Sequence, residues 1–142
     1  ERQLFRLFSN EGDIGKAIMA PPDLPPATLT TLRRAFDAMA PARVAFIGHS
    51  HSPVVFMDDG TVQRFPSQET LVMDLAARRY VLNVGSVGQP RDGNPDASYV
   101  VYDDDADSVT HHRVRYDREK AAEKILRAGL PPVLAERLLI GY

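Results

Sequence analysis

At 142 residues, with 44% hydrophobic and 25% charged positions, the chain has the size and balance of one ordinary globular domain. A formal net charge of −2 provides no basic footprint for nucleic acid or an acidic membrane, and the absence of cysteine excludes disulfides, thiolate zinc sites and a thiol nucleophile. No apolar run approaches the roughly 20 residues of a membrane span, and the charged opening Glu1-Arg2-Gln3-Leu4 is unlike a signal peptide, so a cytoplasmic protein is expected.

The chain does not begin with Met and opens directly on a helix-like pattern, as a segment cut from a longer protein would. Leu4, Phe5, Leu7 and Phe8 fall near one side of a helix, or else form a short buried segment. Pro21, Pro22, Pro25 and Pro26 predict a loop across residues 9–26. A helix then starts near Thr28, carries Leu29, Leu32, Phe36 and Met39 at helical spacing, and stops at Pro41. Val44 to Ile47 reads as a strand ending at Gly48. Val54–Phe56 and Thr61–Phe65 flank Asp58-Asp59-Gly60, a strong hairpin signal because Asp-Gly readily takes the positive φ of a tight turn.

A further strand pair is expected at residues 71–75 and 79–83, and a hairpin of Ser98–Tyr102 with Val109–Arg115 around the acidic run 103–107. That run reads as a solvated turn, since it lacks EF-hand spacing. Asp117 can cap a helix carrying Ala121, Ile125 and Leu126 and ending at Gly129, and a last helix after Pro131-Pro132 uses Leu134, Leu138 and Leu139. The chain thus divides into a helical, proline-rich lead-in (1–42), a β-rich region (43–116) and C-terminal helices (117–142), all parts of one domain. This order predicts an α/β or α+β fold with hairpins, not an alternating βαβ chain.

The sharpest chemical feature is Gly48-His49-Ser50-His51, directly after an apolar strand. In extended backbone, histidines at i and i+2 point to the same side, where neutral imidazoles can serve one metal or two adjacent metals. Gly48 would let the chain turn sharply at the strand's C-terminal end, where α/β sheets place their ligands. The competing reading is a surface accident or a satisfied core pair. The second feature is Asn83-Val84-Gly85-Ser86-Val87-Gly88-Gln89-Pro90-Arg91-Asp92-Gly93, after the apolar Tyr80-Val81-Leu82. Its glycines, Ser86 and Arg91 suit phosphate contact; equally, the loop could form a tight crossing beside the histidines.

Taken together, the Gly-His-Ser-His loop, the hairpin, the 83–93 loop and the Ala97-Ser98-Tyr99 strand resemble the calcineurin-like metallophosphoesterases, most of all their small bacterial phosphodiesterase and phosphatase-type branch. The tail, with Arg115-Tyr116-Asp117, Ala128-Gly129-Leu130-Pro131 and Arg137-Leu138-Leu139, is similar to that branch as well, so the match covers residues 43–142. The resemblance implies an α/β sandwich of two sheets with flanking helices, of which this chain supplies mainly the second sheet. It implies a phosphatase or phosphodiesterase using a dinuclear centre of divalent ions (manganese, iron, zinc or nickel) and direct attack by metal-bound hydroxide on a phosphate ester. His49 and His51 would each bind one metal.

The family's upstream motifs, Asp-x-His, Gly-Asp-x-x-Asp and Gly-Asn-His-Asp/Glu, have no counterpart in the sequence. Gly12-Asp13-Ile14-Gly15-Lys16 resembles the second superficially, with Lys16 where an acid belongs. Asp58, Asp59, Asp92 and Asp96 lie near the motifs but correspond to turns in the family. Hard divalent ions need carboxylates, so the chain alone is expected to bind metal weakly and to depend on a missing N-terminal half or a partner chain; a homo-oligomer is left open. Arg91 and Ser86 are candidate substrate contacts. Arg91 either holds phosphate or anchors its loop to Asp92 or Asp96, and Ser86 reads as a loop-stabilising donor rather than a nucleophile. His111 and His112, adjacent on a strand, should face opposite ways, and Tyr99 should pack. The alternative function is a non-catalytic scaffold of the same fold.

Overall fold

The computed structural model describes Phe5–Arg6, residues 26–65 and residues 68–142. In chain order the elements are β1 (Phe5–Arg6), α1 (Pro26–Ala38), β2 (Val44–Ile47), β3 (Pro53–Met57), β4 (Val62–Arg64) and β5 (Thr70–Val72). They continue with β6 (Tyr80–Val84), β7 (Ala97–Asp103), β8 (Ser108–Val114), α2 (Arg118–Arg127) and α3 (Pro132–Ile140). The strands form a five-stranded sheet, in order β1-β2-β6-β3-β4, and a three-stranded sheet, in order β5-β8-β7.

Period-2 alternation explains how these layers stack. Ala45 and Ile47 of β2, Val54 and Phe56 of β3 and Val81 of β6 turn to one face, where they pack against Leu32 and Phe36 from α1 and Met39 just beyond its end. The intervening residues Val44, Val55, Met57, Tyr80 and Leu82 turn the other way and meet Val109 of β8 and Met73. Phe46 reaches Tyr102 of β7 edge-on, ring centroids 5.6 Å apart, across the seam between the sheets. The five-stranded sheet is therefore apolar on both faces, and that is why β3 is buried along its whole length. Arg79 ties the layers at one end: it donates to the Phe36 carbonyl at 2.6 Å, near the end of α1, and pairs with Asp58 at 2.9 Å.

Most predicted elements are present, with particular departures. The helix begins at Pro26, two residues ahead of Thr28, because proline fits a first helical turn. Of the expected opening helix, the described part, Phe5–Arg6, is instead a strand paired in parallel with Ala45 and Phe46; the rest of residues 1–8, and the loop expected to run from 9, lie outside the described residues up to 25. β2 also runs parallel to β6, so this part of the chain does use parallel crossovers. Segments 71–75 and 79–83 are not partners. Leu71 pairs with Val109 of β8, whereas β6 lies between β2 and β3. The hairpin around 103–107 forms as expected, with Asp103–Asp105 exposed. Asp117 caps α2 by accepting from the Lys120 amide at 2.9 Å. Among the described residues no helix is long and apolar enough to cross a membrane.

Candidate functional site

β2 and β6 lie side by side and run in the same direction, so the loops that follow them emerge at the same sheet edge. One is the histidine loop, 48–52; the other is the glycine-rich loop, 85–93. This places both motifs at strand C-termini, the usual ligand position of α/β sheets.

The local geometry of the histidine loop is not extended. His49 has φ +78° and His51 φ +61°, both in the left-handed region, which costs a non-glycine residue roughly 1–2 kcal/mol. Gly48 does not share it, and a Cβ added there would meet nothing within 4 Å. The turn expected of the glycine is thus carried by the two histidines. Strain of this kind persists where the surroundings over-determine the backbone, and here they do. Asn83, 1% exposed at the end of β6, donates through Nδ2 to the Gly48 carbonyl (3.0 Å) and to Ser50 Oγ (2.7 Å). Its Oδ1 accepts from the Gly85 amide at 3.1 Å. The Arg91 amide donates to the His51 carbonyl at 3.1 Å, and Ser52 Oγ donates to the Arg91 carbonyl at 3.3 Å.

His51 Nδ1 lies 2.7 Å from the Gln89 carbonyl oxygen. A carbonyl can only accept, so Nδ1 carries the proton and Nε2 keeps its lone pair, the tautomer a metal-ligating histidine requires. Burial lowers the pKa of His51; the Gln89 hydrogen bond opposes this, but the positive charge of Arg91 and of a protonated His49 adds to it. The ring is therefore held neutral at neutral pH. His49 is exposed.

Gly85 sits at the crossing point. Its φ is +79°, and a Cβ there would lie 2.5 Å from Ser98 Oγ and 2.9 Å from Ser98 Cβ. Ser98 Oγ donates to the Val84 carbonyl at 2.8 Å and so accepts from His111 Nε2 at 2.8 Å. His111 is 1% exposed, while His112 on the opposite face stacks against Tyr99 at 5.0 Å. Ser86 braces its own loop, but as an acceptor: its Oγ takes the Gln89 amide at 2.9 Å and its carbonyl takes the Ser98 amide at 2.9 Å.

The nearby carboxylates are committed elsewhere. Asp58 pairs with Arg79 (2.9 Å), Asp59 with Arg78 (2.9 Å), Asp96 with Arg118 (3.3 Å), and Asp92 with Arg113. Burial raises the pKa of Asp58, but hydrogen bonds and charge from Arg79 outweigh it and hold the carboxyl below the ordinary range. The anchoring of Arg91 to Asp92 or Asp96 does not occur; its Nη2 donates to Gln89 Oε1 at 2.7 Å. Among the described residues, the one cluster of three potential metal-ligating side chains is the exposed turn Asp103-Asp104-Asp105. The residues present therefore fit a metal centre's nitrogen ligands and not its oxygen ligands. Residues 12–16 lie outside the described residues. Asn83 is the member of this site that motif reading passed over as mere loop; its one sequence signal is a polar residue directly after three apolar strand positions.

The chain matches no protein-family model. It is 43% identical over 96 residues to an uncharacterized protein of Methanocaldococcus jannaschii, MJ0912, an alignment covering 68% of this chain and 38% of that protein. Its fold matches the crystal structure of a metallophosphoesterase from Sphaerobacter thermophilus over its whole length, with TM-score 0.78 and 29% identity, covering 56% of that chain. It also shares its fold, at TM-score 0.60 and 16% identity, with hypothetical protein PH1004 from Pyrococcus horikoshii OT3, covering 47% of that chain. The chain thus spans about half, or less, of the proteins it matches.

Proposed function

We propose, for a chain that belongs to the calcineurin-like metallophosphoesterases, that it takes part in metal-dependent hydrolysis of phosphate esters. His49 and His51 are its contribution to a dinuclear centre, and the oxygen ligands come from residues other than those described. The observation that carries this reading is that both histidines are held at positive φ, in a loop fastened by Asn83 and by the backbone of Arg91. A loop without function gains nothing from placing two imidazoles on strained backbone.

When bound, divalent ions supply Lewis-acid stabilisation of the phosphoryl oxygens and a nucleophile at neutral pH. The chain's own residues do the rest. Gln89 fixes the tautomer of His51, leaving the lone pair on Nε2. Arg91, exposed and free of any ion pair with a described carboxylate, keeps guanidinium donors that can take phosphate oxygens bidentately. Ser86, turned into its own loop, stabilises rather than contacts substrate.

The test is metal content after stripping and reconstitution with manganese, comparing the chain with a His49→Ala, His51→Ala double variant, alongside hydrolysis of a chromogenic phosphate ester. Weak manganese binding that disappears in the double variant, with little turnover, is the expected result. Tight binding of two ions with strong turnover would show that the carboxylates are present in this chain after all. Binding unaffected by the double variant would remove the histidines from the site and favour the scaffold alternative.

A further inference from the structure

The two sheets are of unequal width. Five strands stand in one and three in the other, and Tyr102 of β7 meets Phe46 of β2 edge-on. β7 therefore lies over β2. Beyond it the smaller sheet ends, leaving β1 with no strand opposite among the described residues. Phe46 marks the gap: it sits mid-strand between β1 and β6 yet is only half-buried, as are Val100 and Tyr102, which face it from β7.

The backbone of β7 is open on the same side. The Ser98 amide points away from β8, to the Ser86 carbonyl at 2.9 Å, and the His111 amide of β8 points away from β7, to the Glu69 carbonyl at 3.2 Å. Alternation along the antiparallel ladder then directs the N–H and C=O groups of Val100 and Tyr102 outward as well. Among the described residues no strand pairs with them. Proteins blunt such edges with proline, lysine or a bulge. β7, Ala97-Ser98-Tyr99-Val100-Val101-Tyr102-Asp103, has none of these along its unbroken register with β8.

We propose that this edge docks one further β-strand, supplied by the rest of a metallophosphoesterase domain, antiparallel to β7, apolar toward Phe46 and acidic at its C-terminal end. β7 starts beside Gly85 and Ser86, at the end of the sheet from which the histidine loop emerges. A strand antiparallel to it finishes there, where its last side chains can supply the oxygen ligands that the described residues lack. Its first residues meet the exposed turn Asp103-Asp104-Asp105, so basic side chains suit that end. The acidic end rests on the hydrolase reading above; the docking rests on the sheets alone. This chain covers 56% of the matched metallophosphoesterase, which leaves that protein ample length for such a strand. A second copy of this chain does not fit. Antiparallel copies paired through β7 would be related by a two-fold axis normal to the sheet. Each copy's β2, beneath its own β7, would then stand about 4.8 Å from the other's, in the space that β1 already occupies.

The experiment uses the intact chain, chelator-treated, and two synthetic peptides. Each is Lys-Lys followed by three Val-Thr repeats, one ending in Asp-Gly-Asp and the other in Asn-Gly-Asn. In the chain alone, hydrogen exchange at the amides of Val100 and Tyr102 should be at least ten-fold faster than at Tyr99 and Val101, which bond to β8. Without metal, either peptide should slow exchange at Val100 and Tyr102 at least ten-fold, with saturable amide shifts. Val100→Pro, tolerated where the N–H faces outward, should abolish that protection; circular dichroism checks that the variant is folded. Manganese should then bind at least ten-fold more tightly with the Asp peptide than with the Asn peptide, and the gain should vanish in the His49→Ala, His51→Ala variant. Slow exchange at Val100 and Tyr102 in the free monomer, a β7-paired dimer by sedimentation, absence of peptide protection, or protection undiminished in folded Val100→Pro would each overturn the docking site. Protection by both peptides with equal manganese affinity would support the docking site and count against the metal-centre reading.

Discussion

Asn83 is the residue on which the geometry of the histidine loop turns, so Asn83→Ala is the most informative single change. Three hydrogen bonds end on its side chain. The substitution leaves the amide of buried Gly85 without a partner, at a cost of about 1–3 kcal/mol. Gly48 is exposed and Ser50 half-buried, so water can replace the other two bonds and their net loss is about 0.5–1.5 kcal/mol each at most. A destabilisation of roughly 2–6 kcal/mol follows. With a urea dependence of about 2 kcal/mol per molar, the midpoint should fall by about 1–3 M at unchanged slope.

The effect should also be local. Hydrogen exchange at the amides of Ser50 and Arg91 should accelerate by more than the global destabilisation accounts for, because the loop's restraint is what has gone. Asn83→Asp separates the two sides of the clamp: its carboxylate still accepts from Gly85 but cannot donate to the Gly48 carbonyl, so Gly85 should stay protected while Ser50 and Arg91 open. A midpoint shift under about 0.3 M for Asn83→Ala, with exchange of the loop unchanged, would refute the clamp.

Gly85→Ala should cost about 2–5 kcal/mol, from left-handed backbone and a clash with Ser98, whose hydroxyl is held by two partners; a loss below about 1 kcal/mol by urea unfolding would contradict the crossing geometry. The depressed pKa of Asp58 sets a pH dependence: the folded form holds the carboxylate more readily than the unfolded chain, so its contribution is present above the ordinary carboxylate pKa and is lost as pH falls through the lower folded value. Asp58→Asn should accordingly narrow the stability difference between pH 7 and pH 3, and an unchanged acid limb would mean that the Arg79 pair is not linked to folding. His49→Gly and His49→Ala remove the same imidazole, yet the glycine variant should be the more stable by about 1 kcal/mol because φ is +78°; the reverse order would show that the loop relaxes when the histidine is removed.

Elements governed by one period or one turn were legible from residues alone. Leu32, Phe36 and Met39 are buried together as their spacing demands, and Asp59-Gly60 closes β3 onto β4. The false strand pair shows the limit of proximity in sequence. Residues 76–79 contain no turn-forming glycine or asparagine, and the short strand β5 satisfies its backbone by pairing Thr70 with Thr110, far along the chain. The histidine motif was legible as chemistry but not as geometry. Positive φ is uncommon for any non-glycine residue, histidine included, so the extended reading was the natural one, and what enforces the turn is the cross-loop set of Asn83, Gln89 and Arg91, which no local pattern encodes.

That cross-loop set bears on how much of a metal site the chain presents. A ligand loop held in place by the metal would be expected to rely on it for its shape, as small zinc domains do. Here the clamp, the Gln89 contact and the parallel strands beneath them are made by protein groups alone. The ring of His51 is kept neutral by burial, and its Nδ1 hydrogen bond leaves the lone pair on Nε2. The His51 imidazole is thus held by a protein group, while the carboxylates nearest in sequence, Asp58, Asp59, Asp92 and Asp96, are drawn away by Arg79, Arg78, Arg113 and Arg118. In the proposed centre, affinity would then be governed by the oxygen ligands that complete it, because hard divalent ions need carboxylates.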